Sequence, residues 1–441
     1  MASLLPGVRR AWLVAVLSVL LAGDAIRFTA GWVTFGVIAA LVGIVAMLFL
    51  VAHRDRWRVR DLPYPLLGFL SLATASLAWS AYPAATALGL LTTWLIAIAA
   101  IAIVVTTGWE KLLKTLGIVV GLVLALSIAF ELFVATVIRA PILPLFTQPG
   151  VDYSQYEKIP DMLYWSRNEL FQVLDDGRIQ GIVGNANNLG FLALLGMIVF
   201  SLMLADGSIR RSYGFSGLVL SVSTIFMTRS ATVTVALVGV AAVAAAVIAL
   251  RRFSSPRARA RTWAAILAVV VAGAVAVTLL RGTLLAIVGK SADLTGRLGI
   301  WDAVIALAQQ RPAFGWGWVS FWMPWTPPFT DLAFRNGVRQ LQAHNAWIDL
   351  WFQLGIVGLI VFAALILGAL TRSWSLAVDQ PQHRAGHVDR YRALTLFPLL
   401  TLGALVIQSF AESRLLVEYG WAFVVVFAAG TRFHEQNLAD R

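Results

Sequence analysis

Cysteine is absent from the 441 residues, which excludes a disulfide framework, a thiolate nucleophile and a thiolate metal site. Charge is scarce as well. Asp, Glu, Lys and Arg make up 13% of the chain against 59% hydrophobic residues, where soluble globular domains carry about a quarter charged residues. That balance excludes a soluble globular fold and points to an integral membrane protein. The net charge of +12 does not indicate a nucleic-acid partner, because the basic residues stand in short clusters between apolar runs instead of filling one domain. They read as topology signals.

Apolar runs able, or nearly able, to cross about 30 Å of hydrocarbon lie at 11–23, 31–52, 64–80, 86–107, 112–138, 188–205, 213–228, 231–250, 262–280, 346–370, 393–410 and 418–430. The expected fold is therefore an all-α membrane protein of about twelve spans, a single polytopic domain over 1–441. Met1 to Arg10 followed by an apolar run has the charge of a signal peptide, but no convincing small-residue cleavage site follows, and a retained first helix is expected. With the N-terminus inside, Arg9 and Arg10, the run Arg54 to Arg60, Lys111 and Lys114, and the run Arg251 to Arg261 all fall on the cytoplasmic side. The C-terminus then lies inside too.

Two long loops fall outside. The first, 139–187, carries Pro141, Pro144, Pro149 and Pro160 with Asp152, Glu157, Asp161, Asp175 and Asp176, and is expected to cap the membrane domain. Its carboxylates are too irregularly spaced for a metal site, and none is expected. The second, 281–345, is expected to be helical: Trp301, Val304, Ile305 and Ala308 recur at helical spacing until Pro312. An amphipathic helix at the interface follows from that spacing. Trp316, Trp318, Trp322 and Trp325 suit the headgroup layer, and Gly355 and Gly358 suit close helix packing.

Arg229, Arg297 and His344 each stand where an apolar span meets water on the non-cytoplasmic side. Two guanidinium forks hold a diphosphate in bidentate fashion, and an imidazole takes a proton from a hydroxyl near neutral pH. Together they imply an enzyme acting on a lipid-linked phosphate ester at the outer leaflet. A departing diphosphate is a weakly basic leaving group that needs little general acid, so the demand falls on arginines that stabilise the leaving charge and on a base, His344, for a hydroxyl beside it. Asn345 or, less easily, Asp349 is expected to orient the ring. Each residue has a plainer reading: a snorkelling side chain for Arg229, a solvated surface charge for Arg297, a helix-entry hydrogen bond for His344. Glu412 and Arg414, in the last external loop, either serve the site or merely pair with each other. Glu131, inside the fifth apolar run, is a functional acid or an edge residue in equal measure.

The order Gly184-Asn185-Ala186-Asn187-Asn188-Leu189-Gly190, Thr228-Arg229-Ser230-Ala231-Thr232, Thr295-Gly296-Arg297, Trp301, Pro312-Ala313-Phe314-Gly315-Trp316-Gly317, His344-Asn345 and Gly355-Ile356-Val357-Gly358 resembles the O-antigen ligase and polymerase superfamily of bacterial multispanning enzymes. The resemblance implies a C-type glycosyltransferase of the plasma membrane. It would take a glycan from undecaprenyl diphosphate and join it to a hydroxyl of a glycan or glycolipid acceptor, without a cofactor or metal. It maps diphosphate-gripping arginines onto Arg229 and Arg297 and the essential histidine onto His344. Asn345, Trp301, Glu412 and Arg414 join them as candidate substrate-binding residues. Ligase is preferred to polymerase for the single large late loop with its one histidine. A secondary transporter or flippase of polysaccharide precursors is the reading from another class.

Overall fold

A computed structural model describes residues 5–253, 255–265, 268, 296–379, 382–384 and 387–439. Most of the expected span at 262–280 and the opening of the second long loop lie outside them. The named helices are α1 (Leu5–Leu21), α2 (Gly23–Ala52), α3 (Tyr64–Ala75), α4 (Pro83–Thr106), α5 (Trp109–Phe133), α6 (Ala186–Ala205), α7 (Arg211–Thr228), α8 (Ala231–Arg251), α9 (Arg297–Gln310), α10 (Ala346–Val378), α11 (Phe397–Ser409) and α12 (Glu418–Ala439). Six of these segments, Gly23–Ala52, Pro83–Thr106, Trp109–Ile138, Ala186–Ala205, Ala231–Arg251 and Ala346–Val378, are long and apolar enough to cross a membrane. The other apolar runs within the described residues also coincide with helices, but shorter or less apolar ones, so the count of about twelve spans stays an expectation.

Burial separates a central pillar from a rim. α6 is enclosed along most of its length, packing on α5, α7 and α8. α2 turns Val33, Val37, Leu41, Ile44 and Leu48 outward at helical spacing, a stripe whose natural solvent is lipid. The starts of α6, α8 and α10 are written in the sequence by their caps. Asn185 Oδ1 accepts from the backbone N–H of Asn187 and Asn188, Ser230 Oγ from Val233, and Asn345 Oδ1 from Trp347 and Ile348.

α10 breaks at Gly355, at φ 65°, and the chain that fills the break is the glycine-aromatic motif. Ile356 N–H donates to Pro312 O (2.8 Å) and Val357 N–H to Ala313 O (3.1 Å), while Trp316 and Gly317 N–H donate to Phe352 O and Gln353 O. A Cβ on Gly355 would lie 2.2 Å from Ala313 O. The glycine therefore serves contact between loop and helix, a closer approach than the helix packing expected of it. Two of the expected headgroup tryptophans, Trp318 and Trp322, are fully buried, whereas Trp325 is exposed. α9 likewise packs Ile300, Val304 and Ala308 into a small second core with Trp322, Phe329 and Phe352. Aromatic mass here builds a support for the loop.

Two short ribbons depart from an all-α fold. β1 (Phe334–Arg335) pairs antiparallel with β2 (Val338–Arg339) around Asn336-Gly337, both at positive φ, and β3 (Gln382–Arg384) pairs with β4 (His387–Arg390). Asn-Gly is the hairpin dipeptide.

The first long loop is clamped by Glu131. Its buried carboxylate accepts from the backbone N–H of Gln180 (2.8 Å) and Gly181 (2.7 Å) and from Ser166 Oγ (2.6 Å). Those three donors satisfy the acid in place, and they fix the approach to α6.

Candidate active site

The loop between α11 and α12 delivers Glu412 into a pocket of donors. Its Oε1 accepts from Asn187 Nδ2 (2.8 Å) and Arg297 Nη2 (3.1 Å), and its Oε2 from Gln342 Nε2 (3.3 Å), facing His344 Nδ1 at 3.0 Å. Glu412 is 4% exposed. Burial pushes its pKa up, but the charge and hydrogen bond of His344, the Arg297 guanidinium and Asn187 outweigh that and hold it at about 2. It is thus an anion throughout the working range, and an anion can only accept.

Helix starts surround it. Asn187 belongs to the first turn of α6, and its Oδ1 accepts from Ser230 Oγ (2.9 Å), the cap of α8, and from Arg178 Nη2 (3.1 Å). Arg297 is the first residue of α9, and His344 immediately precedes the cap of α10. The positive ends of four helices therefore join the cations in favouring an anion here. Arg178 is half-buried. Desolvation lowers its pKa, as does repulsion from Arg167 and Arg335, against the pull of Glu169 and Glu412.

His344 sits at φ 52°, in the left-handed region that a histidine seldom adopts. Three contacts hold it there. Ala343 N–H donates to Asp349 Oδ2 (3.0 Å), Ala343 O accepts from Trp301 Nε1 (3.0 Å), and Asn345 is committed to capping α10. Asp349 also accepts from Ser413 Oγ, so one buried carboxylate joins the backbone before His344 to the residue after Glu412. Strain over-determined by its surroundings is a feature of functional sites. The ring itself is oriented by Glu412 and by Gln340, whose Oε1 lies 3.1 Å from Nε2. This corrects the expectation that Asn345 or Asp349 would orient it.

Of the residues expected at the site, the structure brings together Arg297, His344 and Glu412. Trp301 and Asn345 support the backbone around them. Arg229 stands one residue from Ser230 but turns away: its Nη1 donates to Val173 O (2.6 Å) and its Nη2 to Asp176 Oδ1 (2.5 Å). Arg414 does not pair with Glu412. It joins Glu418 and Asp24 (3.6 Å), beside Arg27, in a separate cluster.

Arg178, Asn187, Gln340 and Gln342 were not singled out from the sequence as site residues. Asn187 stood inside a motif already noted, and the Asn336-Gly337 turn was the signal that a hairpin would carry Gln340 inward. Arg178 carried no signal beyond its charge.

The helix starts of α8, α9 and α10 fall in one stretch of sequence that has relatives. Residues 216–363 match the O-antigen ligase family model. The O-antigen ligase match runs from within α7 to the middle of α10, taking in Arg229, Arg297 and His344, while Arg178, Asn187 and Glu412 lie outside it. It supports the O-antigen ligase and polymerase superfamily, and with it a multi-pass membrane enzyme of the O-antigen ligase or polymerase type. No curated protein matches the chain.

Proposed function

We propose that the protein is a plasma-membrane glycosyltransferase that moves a glycan from an undecaprenyl-diphosphate-linked donor to an acceptor hydroxyl on the extracytoplasmic face, in the manner of a polysaccharide ligase. The observation that carries this is the contact of one buried carboxylate, Glu412, with both Arg297 and His344. With Nδ1–H donated to Glu412, Nε2 is the nitrogen that removes the acceptor's proton as its oxygen attacks the anomeric carbon. The glycosyl–phosphate bond breaks, and the diphosphate leaves with the bonding pair.

Arg297 and Arg178 stabilise that charge as it forms. The buried Nε of Arg297 has no hydrogen-bond partner among the described residues, a donor left over for a phosphate oxygen. Arg229 adds a third guanidinium once it leaves Asp176. That ion pair is exposed, and exposed pairs are worth about 0–1 kcal/mol, so a diphosphate displaces the carboxylate readily, and the bond to Val173 O is the other one to be given up. Neither ring nor guanidinium needs a metal for these steps.

A transporter reading gains from the helix breaks at Gly31 and Gly355, since transporters bind cargo at such breaks. Here the break in α10 is occupied by Pro312 to Gly317, and its freed backbone groups are satisfied there. The enzyme reading is preferred for that reason.

The test is release of free lipid diphosphate by purified protein given an undecaprenyl-diphosphate-linked oligosaccharide and candidate glycolipid acceptors. Acceptor-dependent release that survives a chelator is expected. Transport of intact donor without cleavage would refute the proposal.

A further inference from the structure

Both ring nitrogens of His344 face acceptors. Nδ1 faces the Glu412 carboxylate and Nε2 faces an oxygen of Gln340. The identity of that oxygen follows from the rest of the amide: Gln340 Nε2 donates to Val338 O at 2.8 Å, so turning the amide over would set oxygen against oxygen. A neutral imidazole carries one N–H. With that proton committed to Glu412, Nε2 presents a lone pair to the Gln340 oxygen, and the contact is satisfied only when the ring carries both protons. The base-competent ring and the observed contact therefore exclude each other.

We infer that the Gln340 carboxamide holds the place of the acceptor hydroxyl, and that it must swing away before His344 can act as a base. This rests on the functional reading given above. Gln340 is buried, at the end of the ribbon formed by β1 and β2, with its backbone N–H bonded to Ala333 O (2.9 Å). A side-chain rotation gives up the bond to Val338 O and the longer contact of Nε2 with Met162 Sδ (3.9 Å), and leaves that backbone anchor untouched. The ribbon is tied in turn to the first long loop, through Tyr156 Oη to Gly337 O (3.4 Å) and Arg339 Nη1 to Gly150 O (3.3 Å).

The gate is linked to protons. Closing it requires the doubly protonated ring, so the closed form gains at low pH and the open form as pH rises. The charged groups around the ring are Glu412 from the last external loop, Arg297 of α9 through Glu412, Asp349 of α10, and Arg178 and Arg414 within electrostatic reach of Glu412. Gln340 is the neutral partner among them, which makes it the one to remove without altering the charge.

The experiment is a pair of measurements on full-length Gln340→Leu, a substitution of similar volume without an amide. Ring ¹⁵N spectra of histidine-labelled protein, assigned by loss of the His344→Ala signal, need no substrate. Nε2 of His344 should lose its proton at lower pH in the Leu variant than in the wild type. With the undecaprenyl-diphosphate-linked oligosaccharide as donor, the acid limb of acceptor-dependent lipid-diphosphate release should move the same way. On that acid limb the variant then keeps several-fold more of its plateau rate than the wild type does. Unchanged ring spectra, or a rate lowered equally at every pH, would overturn the gate and leave Gln340 a structural residue. Failure of the functional reading looks different: the wild type would release no lipid diphosphate, or His344→Ala would release it at the wild-type rate, whatever Gln340 does.

Discussion

Two clusters of buried charge lie two residues apart on one loop, and they behave differently. Around Arg414, two guanidinium groups meet two carboxylates: Arg27 bonds Asp24 and Glu418 (2.7 Å), and Arg414 bonds Glu418 and Asp24. Each acid has a cation on either side, and Arg27 also lies over the rings of Trp32 and Phe35. That ring is balanced. Around Glu412, one carboxylate meets Arg297 and the His344 ring, with Arg178 one residue away through Asn187, and a buried Arg297 donor is left over among the described residues. The first cluster is closed on itself and ties the start of α2 to the start of α12. The second has a surplus of donors, which is what an anionic substrate needs.

The largest expected contrast is between His344→Ala and Arg414→Ala. The first should lower glycan transfer per folded molecule by about 100- to 10,000-fold, beyond whatever stability goes with the hydrogen bond to Glu412, read by lipid-diphosphate release beside a melting curve. The second leaves Glu418 and Asp24 short of a cation and should cost about 3–5 kcal/mol of stability, with transfer per folded molecule retained. Reversed outcomes would mean that the roles of the two clusters have been exchanged.

Arg297→Lys comes next. A point charge cannot replace a fork that bonds Glu412 and has Nε to spare, so transfer should fall about tenfold or more while the fold persists.

Acid separates the clusters more gently. Glu412 is depressed from the ordinary 4.5 to about 2, so its contribution to stability is complete above about 4.5 and is lost as pH falls towards 2. Over that window the wild type should lose more of its thermal midpoint than Glu412→Gln does. Equal slopes would show that Glu412 is not held as a paired anion.

The smallest effect is expected at Asp176→Ala. Its carboxylate is exposed, so stability should change by less than about 1 kcal/mol, and transfer should hold or rise as Arg229 is freed. A large loss of transfer would show that Arg229 is needed where it now stands.

What was legible in the sequence follows from what is local. Hydrophobic runs and the helix ended by Pro312 are decided within a few residues, and among the described residues they coincide with helices apart from small shifts of boundary. The caps Asn185, Ser230 and Asn345 are equally local, but Asn345 was expected at the ring and the other two were not singled out as caps. His344 and Arg297 were found because they sit at such helix starts. Glu412 was read either as serving the site or as paired with its neighbour Arg414, and the choice could not be made because its partners come from residues 187, 297, 342 and 344, contacts that only tertiary folding sets. Trp318 and Trp322 misled for the same reason: amphipathic aromatics suit a headgroup layer equally well as a loop core, and the difference lies in Phe69, Phe329 and Phe352 from distant segments.

The claim beneath all of this is that His344 and Glu412 act as one unit. A double-mutant cycle on transfer rate tests it most directly, with His344→Ala, Glu412→Ala and the pair assayed for lipid-diphosphate release at equal amounts of folded protein. The account predicts that the double variant is little worse than His344→Ala alone, because a partner of a missing base has nothing left to orient. Losses that multiply would show the two residues working independently, and would contradict it.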